Sequence, residues 1–172
     1  ANWKLNGSKE FNQNWNSNFF RYFKGKDFSS LGIAPPSMYL DDLRGLLGKN
    51  DICLGAQNID EEDSGARTGE ISASMIKDLG CEFIIVGHSE RRIFFHESNQ
   101  AISKKLIQAS RYSLVPILCI GESASERQNN ITHEVLQHQI TEALIESNEI
   151  TSLIVAYEPI WAIGSGQTPP PE

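Results

Sequence analysis

The stretch FIIVGHSERRIFFHESNQAISKKLIQASRYSLVPILCIG, residues 83–121, contains one complete copy of the pattern that decides the fold. It opens with the apolar run FIIV and closes with a second apolar run, VPILCI. Between these runs Ile102, Leu106 and Ala109 recur at the spacing of one helix face. A strand, a helix and a second strand in this order predict a parallel βαβ unit.

Similar units recur along the whole chain. The predicted strands cover residues 1–4, 31–34, 52–56, 83–86, 115–120 and 153–157, and the first of them is incomplete. Helical stripes lie in the other gaps: Phe11, Trp15, Phe19 and Tyr22; Leu43, Leu46 and Leu47; Met75, Ile76 and Leu79; and Ile131, Val135, Leu136, Ile140, Ala143 and Leu144. Near-continuous apolar strands are expected in a sheet covered on both faces. The pattern predicts an α/β fold, either an open doubly wound sheet or part of an eight-stranded barrel.

Composition limits the function classes. At 172 residues and 40% hydrophobic content, the chain is long and apolar enough for one globular domain. Its formal charge of -7 speaks against a broad nucleic-acid or membrane surface. Cys53, Cys81 and Cys119 form no CxxC pair, so a disulfide framework and a structural zinc site are unsupported and a reducing compartment fits best. No apolar stretch reaches the length of a membrane span, and we expect no signal peptide.

Polar side chains follow the carboxyl ends of the predicted strands. These residues are Asn2, Lys4, Gln57, Asn58, His88, Ser89, Glu90, Glu122 and Glu158. Because the carboxyl ends of parallel strands share one side of the sheet, a cation, an imidazole and carboxylates are expected on one rim. Their convergence favours an enzyme.

Residues 87–91, GHSER, nearly match the nucleophile elbow of an α/β-hydrolase, with Ser89 as the nucleophile. Arg91 stands where that motif requires glycine, and helix is expected to resume only several residues later. The segment GSGQT lacks the lysine of a phosphate-binding loop. His133 and His138 are predicted to face solvent rather than to bind a metal.

Five motifs in order carry a resemblance to a known family. They are NWKLNG (2–7), GAQNIDEEDSGARTGEIS (55–72), IIVGHSERR (84–92), LCIGE (118–122) and AYEPIWAIGSGQT (156–168). Together they resemble the triosephosphate isomerase family, whose members are (β/α)8 TIM barrels. The resemblance covers the whole chain, residues 1–172, as a single incomplete barrel domain. It implies about six parallel strands and five helices. The start of strand 1 and everything from helix 6 onward would be missing.

The resemblance implies the interconversion of dihydroxyacetone phosphate and D-glyceraldehyde 3-phosphate in the cytoplasm, in glycolysis and gluconeogenesis, without cofactor or metal. Glu158 would remove a proton from the carbon next to the carbonyl. His88 would polarise the carbonyl as a neutral imidazole, and a positive helix end behind it would disfavour the imidazolium form. Lys4 would bind the phosphate and the developing oxyanion. The alternative is a non-catalytic barrel that acts as a binding or assembly module, and the 172-residue chain made alone is expected neither to fold stably nor to isomerise.

Further roles follow from the same resemblance. Asn2 would contact substrate oxygens, and Glu90 would pair with Lys4 and position it. Gly164 and Ser89 also receive substrate-binding roles, and Cys119 a supporting one. A lid would comprise Pro159, Ile160, Trp161, Ala162, Ile163, Gly164, Ser165, Gly166, Gln167 and Thr168. Its closure would exclude water and protect the enediolate intermediate.

The segment 57–70 is long for a connection between a strand and a helix. In the resembling family it is the dimer loop, so a homodimer is implied, with Gln57, Asn58 and Thr68 at the interface. Thr68 would reach Asn2 and His88 of the partner subunit. A solvated acidic loop is the alternative.

Overall fold

Five parallel strands form one sheet, in a computed structural model that describes residues 1–23, 31–48, 50, 52–145, 150–163 and 166. The strands are β1 (Leu31–Ile33), β2 (Ile52–Ala56), β3 (Phe83–Val86), β4 (Val115–Ile120) and β5 (Ile154–Tyr157). They lie side by side in chain order, each pairing in parallel with the next. A doubly wound sheet would reverse its order at a switch point. The unbroken order is that of consecutive strands in a TIM barrel, which settles the choice left open by periodicity.

The chain start contributes less than a full strand. Asn2 makes one parallel bridge to Ala34, beyond the end of β1. The Trp3 N–H donates to the Ala34 carbonyl at 3.0 Å, and the Ala34 N–H donates to the Ala1 carbonyl at 2.8 Å. The predicted strand over 1–4 is therefore a single bridge here, which still places Asn2 and Lys4 beside the carboxyl end of β1.

Helices fill the gaps between the strands. They are α1 (Lys9–Phe23), α2 (Leu40–Leu47), α3 (Ala73–Asp78), α4 (Ser89–Phe94), α5 (Asn99–Arg111), α6 (Ala124–Gln128) and α7 (Thr132–Ala143). Two of them, α4 and α6, are short additional helices that follow β3 and β4 directly and lack a stripe of their own. The other helices match the predicted stripes. None of the helices in the described part of the chain is both long and apolar enough to cross a membrane.

The core has two layers because strand side chains alternate between faces. On the helix side of the sheet, Ile84 and Val86 of β3 pack with the stripe of α5, in which Ile102 and Leu106 are fully buried. On the opposite face a smaller cluster contains Ala34, Ile85 and Cys119, with Phe83 and Ala156 packed against it. The predicted α5 stripe is confirmed.

The ring of Phe83 fills space left by two glycines on the inner face. A Cβ atom on Gly55 of β2 would lie 2.5 Å from this ring, and one on Gly32 of β1 would lie 2.8 Å from it. Such separations are too short for a real contact, so the ring needs both glycines. This packing joins β1, β2 and β3.

Some predicted core positions are exposed. Tyr22 at the end of the α1 stripe is 72% exposed, and Met75 on α3 is 56% exposed. The prediction that every strand is covered on both faces is wrong for β5, where Ile154 is 51% exposed. For β5 the physical reason is its place in the sheet, because among the described residues it pairs only with β4.

Replacing Gly55 with alanine tests the Phe83 packing. The added methyl should clash with the ring and lower the free energy of unfolding by about 1–3 kcal/mol. Gly45→Ala is the matched control, because Gly45 lies in α2 and a methyl group added there would have no atom within 4 Å. That control should raise stability by about 0.5–1 kcal/mol. Urea unfolding of the full-length gene product measures both, and equal effects would contradict the packing.

Candidate active site

The catalytic candidates His88 and Glu158 lie at the carboxyl ends of β3 and β5. The Nε2 atom of His88 is 3.5 Å from the Oε2 atom of Glu158. The His88 side chain is buried, whereas the Glu158 side chain is 28% exposed. The fold thus brings together an imidazole and a carboxylate that are far apart in sequence.

The hydrogen bonds of His88 define its tautomer. Its Nδ1 accepts from the backbone N–H of Glu90 at 3.1 Å, so His88 is the N-cap of α4. An accepting nitrogen carries no proton, which leaves Nε2 as the donor of a neutral ring. The expectation that helix resumes several residues after Arg91 is wrong. Because His88 caps it, α4 begins at Ser89, immediately after the Gly87 turn.

Lys4 is held at the same rim by several contacts. Its Nζ atom forms an ion pair with Glu90 Oε1 at 2.7 Å. Its backbone N–H donates to Asn2 Oδ1 at 2.9 Å, and its carbonyl accepts from Gln57 Nε2 at 3.0 Å. The φ angle of Lys4 is 52°, an uncommon conformation for a residue other than glycine. The surrounding hydrogen bonds hold this strained backbone in place.

The catalytic candidates line two different cavities. The larger, of about 700 Å³, is lined by Asn2, Lys4, Gln57, His88 and Glu90, together with apolar side chains such as Phe94 and Phe95. Glu158 lies in a second, narrow cleft with Ser89, Arg92, Cys119, Gly121 and Ile160. Lys4 and Glu158 therefore line different spaces, and His88, which lines the larger one, lies 3.5 Å from Glu158.

One oxygen of the Glu158 carboxylate is buried although the side chain is partly exposed. Oε2 of Glu158 is buried and accepts no hydrogen bond from any residue that the structure describes. The buried Cys119 thiol lies beside it, and burial, reinforced by the Glu158 charge, raises the pKa of this thiol to about 12. Cys119 is therefore protonated at neutral pH and adds no second negative charge to the cleft.

Glu122 has a role that the sequence analysis missed. Its side chain is fully buried, and its carboxylate accepts from Trp161 Nε1 at 2.8 Å and from the Tyr157 hydroxyl at 3.1 Å. Arg127 lies 3.5 Å away and also stacks on the Trp161 ring. The only sequence signal was the position of Glu122 at a strand end. This carboxylate anchors the segment that follows Glu158.

Arg92 is a second missed residue. Its guanidinium donates to the Gly87 carbonyl at 2.8 Å, to Asn99 Oδ1 at 2.6 Å and to the Cys119 carbonyl at 3.4 Å. It thereby links the ends of β3 and β4 to the start of α5. Burial lowers the pKa of this guanidinium. No sequence pattern pointed to it, because its acceptors are mostly backbone carbonyls.

The loop 57–70 is held at its start by contacts with its own chain, whereas Thr68 is exposed. Asn58 Oδ1 accepts from the buried Lys105 Nζ at 2.8 Å, and Lys105 also pairs with Glu97. Gln57 donates to backbone carbonyls within its own chain. The amide groups of Gln57 and Asn58 are therefore engaged internally, while Thr68 is exposed.

Some predicted residues cannot be placed. Gly164, Ser165, Gln167 and Thr168 of the predicted lid lie outside the described residues. His133 and His138 are exposed on α7, as predicted. Within the ranges that the structure describes, no group of three His, Cys, Asp or Glu side chains is arranged to hold a metal ion.

Comparison with known proteins agrees with this geometry. The sequence profile of the triosephosphate isomerase family matches residues 1–172. A triosephosphate isomerase from Nitrosococcus oceani is 41% identical over all of this chain and 70% of its own length. A triosephosphate isomerase from Erwinia tasmaniensis is 42% identical over 99% of this chain and 68% of its own length. One from Herminiimonas arsenicoxydans is 40% identical over 100% of this chain and 70% of its own length. The chain belongs to the triosephosphate isomerase family.

Proposed function

We propose that this protein interconverts dihydroxyacetone phosphate and D-glyceraldehyde 3-phosphate by proton transfer through an enediolate. The observation that carries the proposal is the contact between Glu158 and His88, 3.5 Å apart at the ends of two parallel strands. One group can act on a carbon-bound proton while the other acts on the neighbouring oxygen. Family membership supplies the substrate class.

Glu158 is the proposed base. Its Oε2 atom is buried and is left without a hydrogen bond by the described residues, so a lone pair is available for a carbon-bound proton. A base needs this freedom because a hydrogen bond to the same lone pair would compete with proton transfer. Exclusion of water on closure of the proposed lid would also protect the enediolate.

His88 is the proposed electrophile. Because Nδ1 accepts from the Glu90 N–H, only Nε2 carries a proton to donate. In the Michaelis complex this proton would polarise the carbonyl and stabilise the oxyanion that forms there. The neutral ring can then transfer a proton between the two substrate oxygens.

Lys4 is the proposed phosphate ligand. The chain has a formal charge of -7, so an anionic substrate requires a local cation. Glu90 and the contacts of Asn2 and Gln57 hold this lysine at the rim. Asn2, Ser89 and Gly164 complete the proposed substrate-binding set, and no cofactor is required by this chemistry.

The proposed reaction belongs to glycolysis and gluconeogenesis, and we place the enzyme in the cytoplasm. The free thiols of Cys81 and Cys119 support a reducing compartment.

We further propose that residues 159–168 form a lid. Support comes from its first hinge, where a short 3-10 helix, Ile160–Ala162, follows Pro159. The Ile160 N–H donates to the Glu122 carbonyl at 3.1 Å, and Trp161 donates to the Glu122 carboxylate. A hinge anchored beside the base would let closure and base positioning occur together.

The proposed partner is a second copy of this chain, bound through the loop 57–70. Support comes from Thr68, which is exposed on this loop. Contacts within the chain hold the loop in place: Lys105 donates to Asn58, and Arg67 forms ion pairs with Asp60 and Glu61. A braced loop loses little conformational entropy on binding. We expect Thr68 to contact Asn2 and His88 of the partner subunit.

Shortening the base tests the mechanism. Glu158→Asp withdraws the carboxylate by one methylene and should lower kcat roughly 100-fold or more, with KM little changed. The same substitution at the exposed Glu134 of α7 is the control and should leave both constants unchanged. Unchanged turnover in Glu158→Asp would remove Glu158 as the base. Ester hydrolysis that Ser89→Ala abolishes would instead support the hydrolase alternative.

Limited proteolysis tests the lid. Glycerol 3-phosphate, an unreactive analogue, should slow chymotrypsin cleavage after Trp161 in the full-length gene product. In Glu122→Gln the hinge loses an ionic acceptor, so cleavage should be faster and protection weaker. A cleavage rate that the analogue does not change would contradict a closing lid.

Substitution of Thr68 tests the dimer. Thr68→Arg places a long charged side chain at the proposed interface and should shift sedimentation from dimer to monomer and lower kcat. Gln137→Arg, on the exposed face of α7, should change neither. A wild-type protein that sediments as a monomer, or a Thr68→Arg dimer as stable as wild type, is inconsistent with this interface.

A further inference from the structure

We propose that Gln139 of α7 is a positioning residue for Glu158 and acts on it through the backbone of Gly121. The inference rests on the proposed function, in which Glu158 is the base. Gln139 lines neither of the two cavities that contain Lys4 and Glu158. Any influence on the reaction must therefore pass through other residues.

Gln139 clamps Gly121 with two hydrogen bonds. Its Oε1 accepts from the Gly121 N–H at 2.9 Å, and its Nε2 donates to the Gly121 carbonyl at 3.0 Å. Gly121 follows the last residue of β4, so the side-chain amide replaces the ladder bonds that a neighbouring strand would otherwise supply. One helix side chain thus fixes the position of the strand exit.

Gly121 in turn lies against the backbone of Glu158. A Cβ atom on Gly121 would be 1.9 Å from the Glu158 carbonyl oxygen, so this approach is possible only for glycine. The residues on either side of Gly121 also bond to the backbone of the segment 158–160. The Glu158 N–H donates to the Ile120 carbonyl at 2.7 Å, and the Ile160 N–H donates to the Glu122 carbonyl at 3.1 Å.

This arrangement makes the position of the base depend on Gln139. If Gly121 shifts, the peptide of Glu158 must shift with it because the two backbones are in direct contact. The carboxylate then moves relative to His88 Nε2, now 3.5 Å away, and relative to the substrate carbon. Proton transfer is sensitive to such displacements, and a misplacement of about 1 Å can cost roughly 100-fold in rate.

A positioning role and a purely structural role predict different results. If Gln139 only anchors α7, its loss lowers the amount of folded protein without changing the chemistry of the molecules that remain folded. If Gln139 positions Glu158, its loss slows proton abstraction in every folded molecule. The primary deuterium isotope effect on kcat separates these cases, because it increases when proton transfer becomes more rate-limiting.

The test compares two substitutions on the same helix in the full-length gene product. Gln139→Met keeps the approximate size of the side chain and removes both hydrogen bonds. We expect kcat to fall roughly 10- to 100-fold, with KM little changed and a larger isotope effect with substrate deuterated at the reacting carbon. Gln137→Met is the matched control, because Gln137 is exposed, and should match wild type.

Gln139→Glu provides a second variant in case Gln139→Met does not fold. It keeps an acceptor for the Gly121 N–H and loses the donor to the Gly121 carbonyl, so an intermediate loss of kcat is expected. A Gln139 variant with the kcat of Gln137→Met overturns the inference. So does a kcat that falls only with the folded fraction, at an unchanged isotope effect. A wild-type protein without isomerase activity would overturn the proposed function, and this inference with it.

Discussion

The parallel pairing of β4 with both β3 and β5 is the constraint on which the rest of the site depends. Its register aligns Val86 with Leu118 and Ile120 with Tyr157, so the three strands end at nearly the same level. His88 and Glu158 follow immediately and meet above β4. Backbone hydrogen bonds set the strand register, and side chains such as Arg92 and Gln139 hold the strand ends in place within it.

Glu122 and Glu158 are two carboxylates at this rim, and their surroundings suit one to a structural role and the other to a chemical role. Glu122 is fully buried but accepts from Tyr157 and Trp161 and lies beside Arg127, so its charge is satisfied. Glu158 has a buried oxygen that the described residues leave without a hydrogen bond. Burying such an atom costs free energy, which is expected where a group must remain free to accept a proton. The contrast supports the proposed base and hinge.

Features that depend on residues close together in the sequence were predicted correctly. Features that depend on contacts with distant residues were missed. The α5 stripe was predicted correctly because three apolar residues at helical spacing have one way to be buried together. Met75 was placed in a stripe but is exposed, because α3 is short and only part of its circumference meets the sheet. The helix end expected behind His88 is confirmed, since α4 begins at Ser89, whereas the later start of helix expected in the comparison with the hydrolase motif is wrong. Gln139 looked like one more polar residue of an amphipathic helix.

The sequence by itself determined the order of strands and helices, the polar residues that follow the strands, and the family resemblance. These follow from periodicity and from short motifs, which are properties of adjacent residues. Only the tertiary structure decided that the strands lie in unbroken order, that Nε2 of His88 lies near Glu158, and that Glu122 and Gln139 bond to the backbone and side chains around Glu158. Those facts depend on contacts between residues tens of positions apart, whose distances follow from strand register and packing and cannot be read from local patterns.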